Sequence, residues 1–188
     1  SLTNLPNRSH LGDRLEQAIA DGRGDPTRQF SLLHLRFERF QLLSDSLGRG
    51  VGDRFLVAIA QRIQAQVRPS DLLARLEGDD FGILALHGAG GAQHAVALAG
   101  RLQRAFATPV LIDDTEVQTG ASIGITCSDI GYAGADDALR DAQLAAAMAR
   151  RAADDHCAVF DPALHERASE QLLLETELRR ALDANQLA

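Results

Sequence analysis

Residues 75–86 read RLEGDDFGILAL, with Glu77, Asp79 and Asp80 crowded around Gly78 between two apolar runs. Carboxylates this close can hold a divalent cation. A cation beside a phosphate polarises it and offsets the charge that builds during phosphoryl transfer. The same residue types also suit a solvated hairpin tip, since Gly and Asp are favoured in tight turns for conformational reasons alone. Read as an exposed tip, either aspartate should tolerate alanine within about 0.5 kcal/mol.

Hydrophobic periodicity supplies the elements that must hold this tip. Residues 11–20 (LGDRLEQAIA) carry apolar side chains at helical spacing, and residues 30–37 (FSLLHLRF) read as a largely buried strand. Two helices follow. FQLLSDSLG stops at Gly48, and residues 51–67 end at the Arg68-Pro69 step, which disfavours helical geometry at Arg68. LLARLE and FGILAL are short strands joined by Gly78-Asp79-Asp80. Beyond them the pattern gives a helix over 92–107, a strand over 117–127, an alanine-rich helix over 135–152, a short strand CAVF and a long helix over 163–187. The order βααββαβαβ after a leading helix predicts an α/β (α+β) protein with a central mixed sheet flanked by helices.

Composition narrows the function classes. A chain of 188 residues with 45% apolar content fits one globular domain. A net charge of -7 with scattered arginines argues against a nucleic-acid partner. The longest apolar stretches are far shorter than a membrane span and no leader pattern opens the chain, so a cytoplasmic segment without membrane contact is expected. Cys127 and Cys157 lack CxxC spacing and read as buried thiols rather than a disulfide or zinc site.

LTNLPNR at 2–8, the Gly52-Asp53 pair, RLEGDDF, ASIGIT at 121–126 and FDP at 160–162 together resemble, in order and spacing, the GGDEF domain of diguanylate cyclases. The resemblance implies a nucleotide-cyclase, palm-like fold over residues 1–162. Residues 163–188 resemble the connector helix that leads toward an EAL domain, the phosphodiesterase-like partner in bacterial cyclic di-GMP signalling. Active members join two GTP molecules between two facing subunits, with acids holding two Mg²⁺ ions near a strand end and the hairpin tip. A homodimer and GTP or cyclic di-GMP as ligands are implied in turn.

Against that pattern the chain departs repeatedly. The metal-ligating aspartate at the end of the first strand is Arg36, which cannot ligate Mg²⁺ and would repel it, while Glu38 aligns with a second acidic position. The signature becomes Glu77-Gly78-Asp79-Asp80-Phe81, so a bulky acid replaces the first glycine beside the expected phosphates. Gln41 stands for a phosphate-facing lysine and Ser44 for a guanine-reading asparagine, although the guanine-facing Asp53 is kept. In the late helix AQLAAAMAR stands for ADxAxYxAK: Gln143, Ala147 and Arg150 replace aspartate, tyrosine and lysine, and Asp154 stands where another basic residue is expected. Losses at several points of one site fit an abandoned centre. No catalytic residue and no metal site is therefore expected, and no cofactor beyond Mg²⁺ in the case of residual cyclase activity.

Arg68-Pro69-Ser70-Asp71 keeps the RxxD spacing of the family's inhibitory product site, where the arginine engages a phosphate and guanine of cyclic di-GMP and the aspartate a guanine edge. The same four residues read as a plain helix-to-strand turn. Two functions compete at this point: a silent regulatory domain acting on an attached EAL domain, and a weak diguanylate cyclase. A cyclic di-GMP receptor built on Arg68 and Asp71 belongs with the second set of readings.

Overall fold

The computed structural model describes residues 2–88, 90–151, 156–163 and the single positions 166 and 169. Asp154 and, apart from those positions, the expected connector helix lie outside the described residues. Helix α1 (Arg8–Gly24) is capped by Asn7, whose side-chain oxygen accepts the His10 N–H at 2.9 Å. It runs past the expected end at residue 20 and stops at Asp25, just before Pro26.

Strand β1 (Gln29–Phe37), helices α2 (Phe40–Leu47) and α3 (Arg49–Gln64), and strands β2 (Leu72–Arg75) and β3 (Asp80–His87) follow in order. Then come α4 (Gly91–Phe106), β4 (Val110–Ile112), β5 (Thr115–Val117), β6 (Ala121–Cys127), α5 (Ala135–Arg151) and β7 (Cys157–Val159). The main sheet has the order β2-β3-β1-β6-β7. Its pairings are antiparallel except β6 with β7, so it is mixed, as expected.

β1 lies at the centre with both faces covered, which is why it reads as an unbroken apolar run. Alternation sorts its side chains between two cores. Leu33, Leu35 and Phe37 meet Phe55, Ile59, Leu98 and Phe106 of α3 and α4. Phe30 and Leu32 meet Leu11, Leu15, Leu139 and Ala142 of α1 and α5. His34 and Arg36 share this second face by parity. Gly124 of β6 lies so close under α5 that a Cβ there would meet the Ala142 carbonyl oxygen at 2.0 Å.

Three expectations are corrected. The strand expected over 117–127 is broken at residues 118–120, and its first part belongs to a separate β4–β5 hairpin. That hairpin turns at Asp113 and Asp114, both left-handed (φ 47° and 64°), a conformation whose usual sequence markers are Asn-Gly or Asp-Gly. Asp80, read as a turn residue, is the first residue of β3 and is buried at 8% exposure. Of the two thiols, Cys127 is buried while Cys157 on β7 is only half-buried.

Candidate functional site

The site lies where β1 ends and β3 begins. Arg36 and Asp80 are direct cross-strand partners, so their side chains rise from one face of the sheet side by side. The Arg36 guanidinium donates from Nε to Asp80 Oδ1 at 3.0 Å and from Nη2 to Oδ2 at 2.7 Å, a bidentate fork on a carboxylate. His34, two residues earlier on the same face, places Nε2 3.1 Å from Oδ2. An ionised carboxylate only accepts, so this nitrogen carries the hydrogen. Burial alone would raise the Asp80 pKa. The hydrogen bonds and positive charge of His34 and Arg36 outweigh that and hold it down to about 2.

His34 is the residue that sequence reasoning missed. The signal was a histidine inside an apolar strand at the period-2 position before Arg36. Its register partners are Gly82 on β3 and Gly124 on β6, so neither neighbouring strand presents a side chain directly opposite the imidazole, and the diagonal Asp80 of β3 can reach it.

Around Asp80 the turn closes through Asp80 N–H to the Glu77 carbonyl at 3.0 Å and Leu76 N–H to the Asp80 carbonyl at 2.9 Å. Gly78 supplies the left-handed residue (φ 60°), and Arg75 donates to its carbonyl at 2.9 Å. Glu77 is exposed. Asp79 is half-buried, and burial pushes its carboxyl above the ordinary value. A polar cleft of about 300 Å³ opens here, lined among others by Arg8, Arg36, Glu77, Asp79, Asp80 and Gln143. The fold thus gathers the altered metal position, the signature acids and the altered late-helix position into one cleft.

The residues present do not fit the divalent metal that the resemblance implies. Two carboxylate oxygens of Asp80 already receive three donors, and a guanidinium stands where a ligand is needed. Among the described residues no three His, Cys, Asp or Glu side chains converge as a metal centre would require. Glu38, the second acidic position, is instead directed to Ser122, whose hydroxyl donates to it at 3.4 Å.

The other candidates do not line this cleft. Asp53 is exposed on α3, behind Gly52, whose neighbours are Ser44 and Phe40. Gln41 is exposed and donates to Asp45 at 2.9 Å. Arg150 is exposed near the end of α5. Arg68 and Asp71 form the α3–β2 turn: the Asp71 carboxylate accepts the Arg68 backbone N–H at 2.9 Å, and the Asp71 N–H donates to the Arg68 carbonyl at 3.0 Å. The exposed Arg68 guanidinium has no partner among the described residues.

Comparison with known proteins agrees with this fold. Residues 1–156 match the family profile described as diguanylate cyclase, GGDEF domain. Over its full length the chain is 37% identical to the Pseudomonas aeruginosa bifunctional diguanylate cyclase/cyclic di-GMP phosphodiesterase MucR, of which it covers 27%. It is 30% identical to the Escherichia coli cyclic di-GMP phosphodiesterase PdeR, again over its full length and over 28% of that relative. The chain thus spans little more than a quarter of either protein. Among solved structures, the isolated GGDEF domain of TpbB (YfiN) from Pseudomonas aeruginosa superposes with a TM-score of 0.79 at 33% identity, covering 86% of this chain and 93% of that one. Among the described residues no helix is long and apolar enough to cross a membrane.

Proposed function

Because this chain belongs to the GGDEF family of diguanylate cyclase domains, we propose that it serves cyclic di-GMP signalling without making the nucleotide, as a cytoplasmic regulatory domain that modulates an attached EAL domain. One observation carries the reading. The arginine that stands in place of a metal ligand is bound bidentately to a signature acid, so an acidic pair that could hold a cation has become an internal ion pair. Cyclase chemistry needs charge stabilisation at the phosphates, and losing a metal worth several kcal/mol slows a reaction by orders of magnitude, at about 1.4 kcal/mol per tenfold. Glu77 adds a carboxylate to the cleft where phosphates would lie. Likeness over the whole of this chain to about a quarter of a bifunctional cyclase/phosphodiesterase and of a phosphodiesterase, and to a solved EAL/GGDEF domain protein, supports the EAL association.

The purified chain, incubated with GTP and Mg²⁺ or Mn²⁺, is expected to form no cyclic di-GMP. Product formation within tenfold of an active family member would restore the competing reading of a weak cyclase. Arg36→Asp with Glu77→Gly is expected to remain inactive, because Gln41, Ser44 and Gln143 still leave the nucleotide poorly held.

A cyclic di-GMP receptor role at Arg68 and Asp71 is supported by the exposed Arg68 guanidinium, which has no partner among the described residues. It is weakened by the engagement of Asp71 with the turn's own backbone. Isothermal titration of cyclic di-GMP against the wild type and Arg68→Ala separates the two. Heat lost in the variant supports the site, and equal heats place the ligand elsewhere.

A further inference from the structure

We propose that Arg36 is a built-in counter-cation: its guanidinium takes over the structural task a divalent ion would have at Asp80, tying β1 to β3 and ordering the signature turn in the absence of metal. The inference rests on the reading of the site as metal-free and is independent of what any attached domain does. Three observations carry it. First, Arg36 and Asp80 are direct partners in the ladder, so the fork forms without either side chain reaching across a gap. Second, His34 supplies the third donor from the same strand, so the buried carboxylate is fully engaged from β1. Third, Asp80 also closes the turn through its own backbone, accepting from Leu76 and donating to Glu77, so that fixing its side chain fixes the tip.

An all-acid site has the opposite behaviour. Carboxylates gathered at a strand end repel until a cation arrives, and their order then depends on cation concentration. Here the cation is part of the chain, and only arginine combines permanent charge with a planar fork that fits a carboxylate. The sheet end is therefore complete without metal.

Thermal unfolding with EDTA and with millimolar Mg²⁺, Mn²⁺ or Ca²⁺ tests this on the intact chain. The wild-type Tm is expected to be the same in all. Arg36→Asp is expected to lower Tm in EDTA by roughly 10 °C, since a buried charge loses its partner, and to regain part of that loss with divalent cation. Should Arg36→Asp fail to fold, Arg36→Gln and Arg36→Lys decide: the Lys variant, which keeps charge but not the fork, should melt between the Gln variant and the wild type. A wild-type Tm that rises by several degrees with metal would overturn the proposal. So would an Arg36→Gln variant as stable as the wild type, or an Arg36→Asp variant that gains nothing from cation. The turnover assay on GTP reads the silence of the site directly, so a clamp that fails these melts in a chain that still makes no cyclic di-GMP is told apart from a site that is active.

Discussion

Two turns flank β2, and at each an aspartate lies beside an arginine. At the β2–β3 tip, Asp80 lies under the sheet face, receives three side-chain donors and is matched by Arg36 from the neighbouring strand. At the α3–β2 turn, Asp71 is half-buried and serves its own backbone, while Arg68 extends into solvent. Identical residue types thus do different work, and burial decides which. In a low-dielectric setting the Arg36–Asp80 pair is costly to break, whereas exposed charges near a turn contribute little.

The contrast is broken most directly at Asp80. Asp80→Ala should destabilise by about 3 kcal/mol in urea unfolding, because it leaves a guanidinium and a histidine without their acceptor. A loss under 1 kcal/mol would equate the two turns. Next comes acid. The folded Asp80 pKa is depressed to about 2 against an ordinary 3.8, so its contribution is present above pH 4 and is lost as pH falls toward 2. That contribution is roughly 2 kcal/mol, and Asp80→Asn should remove this part of the acid dependence. Asp71→Ala should cost about 1 kcal/mol, the worth of one local backbone hydrogen bond. Asp79→Asn should change stability by no more than about 0.5 kcal/mol, and upward if at all, because burial already disfavours its charged form. Arg68→Ala should fall within about 0.5 kcal/mol of the wild type while abolishing whatever cyclic di-GMP binding the turn supports.

How far the sequence reached follows the same division. The central strand, the mixed sheet and the helices were legible because β1 and the helices bury continuous faces with clear period. The β4–β5 hairpin was not, because Asp113-Asp114 is an unusual pair for a two-residue left-handed turn and each strand is only three residues long. Arg36 could be aligned with a metal position, but its partner could not be read off. A one-residue shift in where β3 begins decides whether Asp80 faces solvent or sits opposite Arg36. The sequence therefore suggested two equivalent exposed acids at the tip where the structure holds two unlike ones. His34 escaped notice for a related reason, since a lone histidine in an apolar strand carries no sign of its acceptor until the register is known.

Carboxyl carbon NMR on the two neighbouring aspartates reaches the centre of this account. As pH is lowered, the Asp79 carboxyl should protonate above the ordinary value, while Asp80 stays ionised until about 2 or until the chain unfolds. Asp80 titrating at or above 3.8 in the folded protein would contradict the internal ion pair on which the silent site and the built-in cation both depend.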